Sequence, residues 1–234
     1  MEDPLSLPGQ DISRLLGDWV RSSSMWCQVK VVFITKRGKS SYCGPRDFRP
    51  ISLTSFLLKT MERLVDRFVR DEILVLQPLH PNEHAYQAGK SVEMALHQLV
   101  VRGEKALDQP EIALGVFDIE GVFNNTSYDS MCAAVARHGV DHTIVRWIRA
   151  TLKGWLATAT LGGFSRSVMV SRGCPQGGVS PLLWCLVVTE LLARLNEGGV
   201  YSQGYADNIF HLSSSSGKIP IYGIRAHTVG PSHC

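Results

Sequence analysis

The apolar positions alternate between short runs and helical spacings, and they lay out strands interleaved with helices. Val29 to Thr35 is a β-branched run that delivers Lys36, Arg37, Gly38 and Lys39 to a loop. From Ser55 to Leu74 apolar residues recur at 57, 61, 64, 65 and 68, the spacing of a helix capped by Thr54 or Ser55. The pattern repeats from Ser91 to Leu107 through Met94, Ala95, Leu96, Leu99 and Val100. Ile112 to Phe117 reads as a buried strand. Helices follow over 128–138, capped near Thr126 or Ser127, and over 141–155, with Ile144, Trp147, Ile148 and Leu152 on one face. The runs 157–161 and 165–170 flank Gly162-Gly163 as a hairpin. A loop from Gly173 to Gly178 leads into a helix over 181–196. The last pattern, 200–205 and 209–212, turns sharply at Ala206-Asp207-Asn208.

Strands interleaved with helix pairs and closed by a hairpin predict an α+β fold rather than a doubly wound sheet. No Gly-x-Gly-x-x-Gly or P-loop pattern occurs, which removes the usual nucleotide-binding folds. Residues 1–24 are polar and turn-rich and read as a weakly ordered entry segment. The pattern dissolves again at Ser213–Ser216.

Composition adds a real core, at 44% hydrophobic and 19% charged residues, and a net charge of +3 too small to imply nucleic acid by itself. The distribution says more. Between Lys30 and Arg49 six Lys/Arg (30, 36, 37, 39, 46, 49) face one acid, Asp47. Such a stretch is either a solvated basic loop or a patch that draws in phosphate. The six cysteines form no CxxC pair and no metal-ligand spacing with the eight histidines, so they read as reduced thiols in an intracellular compartment, nucleus or cytoplasm. The acidic, Pro-broken N-terminus carries no signal-peptide pattern. The longest apolar run, Pro181 to Val188, is far below the roughly 20 residues that span a bilayer, so no membrane partner is expected.

The candidate chemistry lies in two aspartates. Asp118 ends an apolar strand, and Asp207 sits at a hairpin tip 89 residues later. Each alone is an ordinary cap or turn residue. Brought together, two carboxylates repel unless cations sit between them, and hard oxygen ligands suit Mg²⁺. Two such ions about 3.5–4 Å apart stabilise the attacking and leaving oxygens of a phosphoryl displacement.

FDIEGVF (117–123), GCPQGG (173–178) and QGYADN (203–208), in this order, resemble the palm motifs of reverse transcriptases of jockey-type non-LTR retrotransposons. Upstream, KVVFITKRGK (30–39), FRPISLTSFLLKTMERLVDR (48–67) and HAYQAGKSVEMALHQLV (84–100) resemble the fingers of the same family. The resemblance runs from about Trp26 to Leu212. It implies the fingers and palm of a right-hand polymerase, with 26–110 fingers-like, 111–212 palm-like, the thumb missing and 213–234 an unrelated tail. The implied activity is RNA-directed DNA synthesis with two Mg²⁺ ions, Mn²⁺ as a substitute, on an RNA template with a DNA primer and dNTPs.

Residue by residue, the resemblance makes Asp118 and Asp207 the catalytic metal-binding carboxylates, with Ile119 and Asn208 as further metal neighbours. Phe123 matches the aromatic gate that excludes a ribose 2′-OH, although alone it reads equally as a core residue. Gln176 and Gly177 match the loop packed on the incoming nucleotide. Lys36, Lys39 and Arg49 match basic residues that meet triphosphate or template, where fixed cations stabilise charge on phosphate oxygens. Gln87, Gly89 and Lys90 match a template contact, held through phosphates and 2′-OH groups.

The chain departs from the pattern in three places. Asn208 replaces a second aspartate, and Val179-Ser180-Pro181 is one residue shorter than the usual Gly-Gly-Val-Leu-Ser-Pro, a slip worth roughly 100° of helix rotation unless the loop absorbs it. The Gly-rich loop is therefore expected to tighten and Gln176 to move. The thumb and an upstream endonuclease have no counterpart. These departures predict a truncated enzyme with impaired turnover. The alternative is a non-catalytic remnant or a co-opted nucleic-acid-binding protein that uses the Lys30–Arg49 patch.

Overall fold

β-branched and aromatic runs pair into two sheets in the computed structural model of the chain, which describes residues 12, 14, 16, 17, 28–38, 41–44, 47–107, 112–161, 163–175, 178–197 and 200–214. The first sheet has the order β2-β1-β4-β5, from β1 (Gln28–Thr35), β2 (Phe48–Leu53), β4 (Leu156–Leu161) and β5 (Phe164–Met169). The second has the order β3-β7-β6, from β3 (Ile112–Asp118), β6 (Tyr201–Tyr205) and β7 (Asn208–Ser214), and is antiparallel throughout. Residues 82–84 run beside β6: the His84 N–H donates to Gly204 O and the Gly204 N–H to Asn82 O, both at 2.9 Å.

The run Phe48–Leu53, for which the apolar pattern predicts no element, is a strand that tolerates Pro50 because β2 is an edge strand and loses no central ladder bond to the proline. The hairpin β4–β5, counted with the palm-like part by sequence, pairs in parallel with β1 from Gln28↔Leu156 to Val31↔Ala159 and so joins the sheet of the fingers-like part. At the ends, Ile12 and Leu16 are helical and buried in the main core, an i, i+4 apolar pair. Ser213 and Ser214 extend β7 opposite Ala113 and Ile112, so the strand outruns the limit at residue 212.

The helices begin where the caps lie. Ser55 Oγ accepts the Leu58 N–H of α1 (Phe56–Phe68), and Ser91 Oγ accepts the Met94 N–H of α2 (Val92–Ala106). Past α3 (Val122–Asn125), a single turn, Ser127 caps α4 (Tyr128–Arg137) and Asp141 caps α5 (His142–Lys153). Each such cap contributes about 1 kcal/mol. α1 continues into one π-helical stretch, Val69–Ile73, and a last turn, Leu74–Leu76. α6 (Ser180–Glu197) is apolar on nearly every face because it is covered on both sides. One face meets Leu58, Val65, Met131, Ile144 and Trp147 in the main core; the other holds Trp184, Val188 and Leu192 against Val122 and Ile209. No helix among the described residues is long and apolar enough to cross a membrane.

The start of the Gly-rich loop is laced to α3. The Gly173 N–H donates to Thr126 O at 2.8 Å and the Cys174 N–H to Phe123 O at 2.6 Å. Gly173 has φ +82°, and a Cβ there would stand 2.6 Å from the carbonyl oxygens of Phe123 and Asn124. Gly173→Ala is expected to cost at least about 2 kcal/mol, since strain and backbone overlap add. Chemical denaturation of the two proteins measures it as a lowered midpoint at unchanged slope.

Candidate active site

β3, expected from its apolar run to be buried, instead carries Leu114, Val116 and Phe117 exposed, and its last residue, Asp118, is exposed at the sheet end. The β6–β7 hairpin turns on two residues, Ala206 and Asp207, closed by the Tyr205↔Asn208 pair. Ala206 takes φ +54°, a conformation that costs an alanine roughly 1 kcal/mol or more. The Trp184 indole N–H holds it there by donating to Ala206 O at 2.7 Å. Pairing of β3 with β7 sets Asp118 opposite Asn208, and the Ile119 N–H donates to Asp207 O at 2.8 Å. Directly opposed side chains start about 5 Å apart. The backbones of two aspartates distant in sequence are thus brought to one sheet end.

Asp118 and Asp207 are exposed oxygen ligands with no ion pair among the described residues, which suits a hard ion. The third place is neutral: Asn208 Nδ2 donates to Asp207 Oδ1 at 3.2 Å. Among the described residues no group of three or more His, Cys, Asp or Glu is gathered for a metal. The carboxylates fit Mg²⁺, with two formal charges and one amide oxygen to offer it.

Phe123 stands on α3, half-buried, beyond the left-handed Gly121 (φ +65°). Its ring meets the ring of Tyr86 edge-on, with centroids 6.4 Å apart. Tyr86, a residue the sequence did not single out, has φ +55° and is 43% exposed. Burial, and after it the charge of Asp207, push its phenol above the ordinary range. Its carbonyl accepts from Arg70 Nη1 at 3.0 Å, and Arg70, on the π-helical stretch, is fixed by Asp66 at 3.0 Å. The only sequence signal for Tyr86 was an aromatic inside HAYQAGKS. Together with Ala206 it makes up the non-glycine residues of positive φ among the described residues, and both border the carboxylates.

The remaining expected residues fall into three groups. Gln87 Nε2 and Lys90 Nζ both donate to Glu83 O at 2.6 Å, and Lys90 also to Pro81 O at 2.8 Å. Their side chains brace the 81–83 segment beside β6, while Gly89, at φ +75°, is exposed. Arg49 lies in β2 opposite Ile34, and Lys36 directly follows β1, its N–H donating to Asp47 O at 2.9 Å. Lys39, Gln176 and Gly177 lie outside the described residues.

Beneath the turn lies Glu83, fully buried. Its Oε1 accepts the Ala85 N–H at 3.2 Å, while Oε2 has no partner and stands 2.8 Å from where a Cβ on Gly204 would be. Burial pushes this carboxyl up to about 7, against the opposing pull of the Ala85 N–H and Lys90. The folded protein therefore keeps a proton that the unfolded chain releases near the ordinary carboxyl value of 4.5. This contribution is fully present below that value and is lost as pH rises through about 7. His80, His84 and His211, lowered by burial, act in the opposite sense below their ordinary 6.5, so the variant is compared with wild type at each pH. Glu83→Gln is expected to flatten the fall in Tm between about pH 5.5 and 8. Thermal denaturation across that range measures it, and an unchanged fall contradicts the assignment.

A family model for reverse transcriptase (RNA-dependent DNA polymerase) matches residues 34–227, beyond Leu212 where the motifs end. The chain is 25% identical over 210 residues to the retrovirus-related Pol polyprotein from type-1 retrotransposable element R2 of Popillia japonica, covering 83% of this chain and 29% of that one. It is 27% identical over 197 residues to the putative 115 kDa protein in type-1 retrotransposable element R1DM of Drosophila melanogaster, covering 82% and 18%. The chain thus spans less than a third of the length of these curated relatives. Among solved structures, telomerase from Candida Tropicalis in complex with the TWJ fragment of telomeric RNA matches with TM-score 0.57 at 11% identity, over 87% of this chain and 40% of that one. That likeness is one of fold, and it bears out the α+β fingers-and-palm architecture.

Proposed function

The chain belongs to the reverse transcriptase (RNA-dependent DNA polymerase) family, and from that premise we propose that it is the fingers-and-palm part of a non-LTR retrotransposon enzyme, with Asp118 and Asp207 as its catalytic carboxylates. The observation that carries this is the β3–β7 register, in which Asp118 faces Asn208 and the Ile119 N–H binds the Asp207 carbonyl. The reaction is RNA-templated DNA synthesis, in which a primer 3′-OH attacks the α-phosphate of a dNTP. Asp118 and Asp207, with the Ile119 carbonyl and the Asn208 amide, would hold Mg²⁺, or Mn²⁺ in its place. When bound, such ions neutralise charge on the transferring phosphoryl group.

The protein's own groups do the remainder. Phe123, backed edge-on by Tyr86, closes the sugar side of the site and disfavours a 2′-OH. Lys36, Lys39 and Arg49 meet triphosphate or template, Gln176 and Gly177 pack on the nucleotide, and Gln87, Gly89 and Lys90 shape the template path. Lys90 and Gln87 act there by bracing backbone. Turnover is impaired, since a neutral amide at 208 removes one full negative charge from the cation site.

Primer extension on an RNA template tests the assignment. Asp118→Ala is expected to abolish product, and Asn208→Asp to raise the rate about tenfold, equal to roughly 1.4 kcal/mol of barrier. A template-dependent rate unchanged by Asp118→Ala would sink the catalytic reading. The second reading, a non-catalytic nucleic-acid binder, rests on Asn208 and on the sheet face shared by Lys30 and Arg49. It is supported by salt-dependent RNA binding in a protein that yields no product even as Asn208→Asp.

Phe123→Ala is expected to raise ribonucleotide use relative to deoxynucleotide by about tenfold, because the contact that discriminates them is removed. Competition between rNTP and dNTP in the same assay measures it, and unchanged selectivity assigns Phe123 to the core alone.

A further inference from the structure

The Gly-rich loop rests on a buried carboxyl inside the fingers-like motif 48–67 to which the catalytic assignment gives no role. Glu62 lies in the middle of α1, yet it is only 4% exposed. It points beneath the loop rather than to solvent. Gly178 passes over it at φ +56°, so close that a Cβ there would overlap the Glu62 carboxyl, with Cδ 2.6 Å away. The carboxyl borders a cavity of about 10 Å³, bounded by Trp147 and Trp155 and by Cys174, Pro175 and Ser180. The indole N–H groups of Trp147 and Trp155 are buried without a partner.

We infer that Glu62 is a positioning residue, holding the two described ends of the Gly-rich loop, residues 173–175 and 178, in one place when its carboxyl is neutral and shifting them when ionised. A neutral carboxyl suits this apolar pocket, whereas a carboxylate requires donors. Trp147 and Trp155 line the same cavity as Glu62 with unpartnered indole N–H groups, and a carboxylate that turns to them shifts against Gly178. Burial pushes Glu62 up to about 7, with Lys59 on the same helix opposing, so the change falls near neutral pH. The other titratable group at the wall is the Cys174 thiol, which burial and then Glu62 push up to about 12, so it stays neutral. α5 and α6 bring no further charged side chain to the cavity among the described residues. The functional consequence rests on the proposed role of the loop: Gln176 and Gly177 belong to it, so nucleotide affinity follows the charge on Glu62.

Two measurements on the whole chain test this without requiring turnover. Tryptophan emission is titrated from about pH 5.5 to 8.5, and hydrogen exchange of peptides covering 173–178 is followed at both ends and corrected for intrinsic pH dependence. Wild type is expected to show an emission midpoint near 7 and about fivefold faster corrected exchange in the loop at the higher pH. Glu62→Gln, equal in volume and permanently neutral, is expected to show neither change, and Glu62→Leu serves as a second neutral variant if Gln perturbs folding. The inference is overturned if wild type has no transition in this range. It is also overturned if the transition persists in both variants, or if emission titrates while loop exchange does not. Absence of primer extension in every variant would instead count against the polymerase assignment and leaves this loop measurement readable.

Discussion

The arrangement depends on one antiparallel pairing, β3 against β7. Its register places Asp118 opposite Asn208, and the bond from the Ile119 N–H to Asp207 O locks the hairpin tip to the strand end. Side chains alternate along a strand, so a slip of one residue would turn Asp118 to the opposite sheet face. The register is fixed by burial away from the carboxylates. Ile209 lies against Val122, Trp184, Val188 and Leu192, and Trp184 also holds the strained Ala206. The chemistry at the sheet end is therefore specified by packing on α6.

Buried carboxyls recur under the two loops that carry the site. Glu83 lies under β6 against Gly204, and Glu62 lies under the Gly-rich loop against Gly178. Both come from segments N-terminal to β3, and each occupies the space a Cβ would need. The glycines of QGYADN and GCPQGG thus serve close packing from below as much as close approach of a ligand from above. Each carboxyl is forced toward its neutral form by burial, so each contributes stability that is lost as pH rises through about 7, while the buried His80, His84 and His211 act in the opposite sense.

Most elements were legible because their signals are local. Helices over 56–68, 92–106, 128–137 and 142–153 start behind Ser55, Ser91, Ser127 and Asp141, and their apolar stripes have the helical period. The strand at 48–53 was not legible, since Pro50 argues against a strand until its edge position is known. The parallel pairing of β1 with β4 joins residues about 130 apart, and no periodicity carries such information. At the site, the two aspartates were found by motif, whereas Tyr86 required the backbone. A residue of positive φ that is not glycine leaves no compositional trace, and its approach to Phe123 arises only when the 82–84 segment lies beside β6.

The substitution at 208 joins stability to chemistry. Three carboxylates at one sheet end would repel in the absence of cations, and that repulsion would strain a turn already held at a costly φ. Asn208 avoids it and adds a hydrogen bond to Asp207, so the hairpin tip is stabilised by the same neutral amide that, under the proposed catalytic role, offers a cation one charge fewer. A site that must gather negative charge is ordinarily destabilising to its fold, and a chain released from turnover gains by neutralising it. In that sense the intact β3–β7 register and the neutral residue at 208 are compatible: the scaffold that brings the carboxylates together stands more easily with one charge removed.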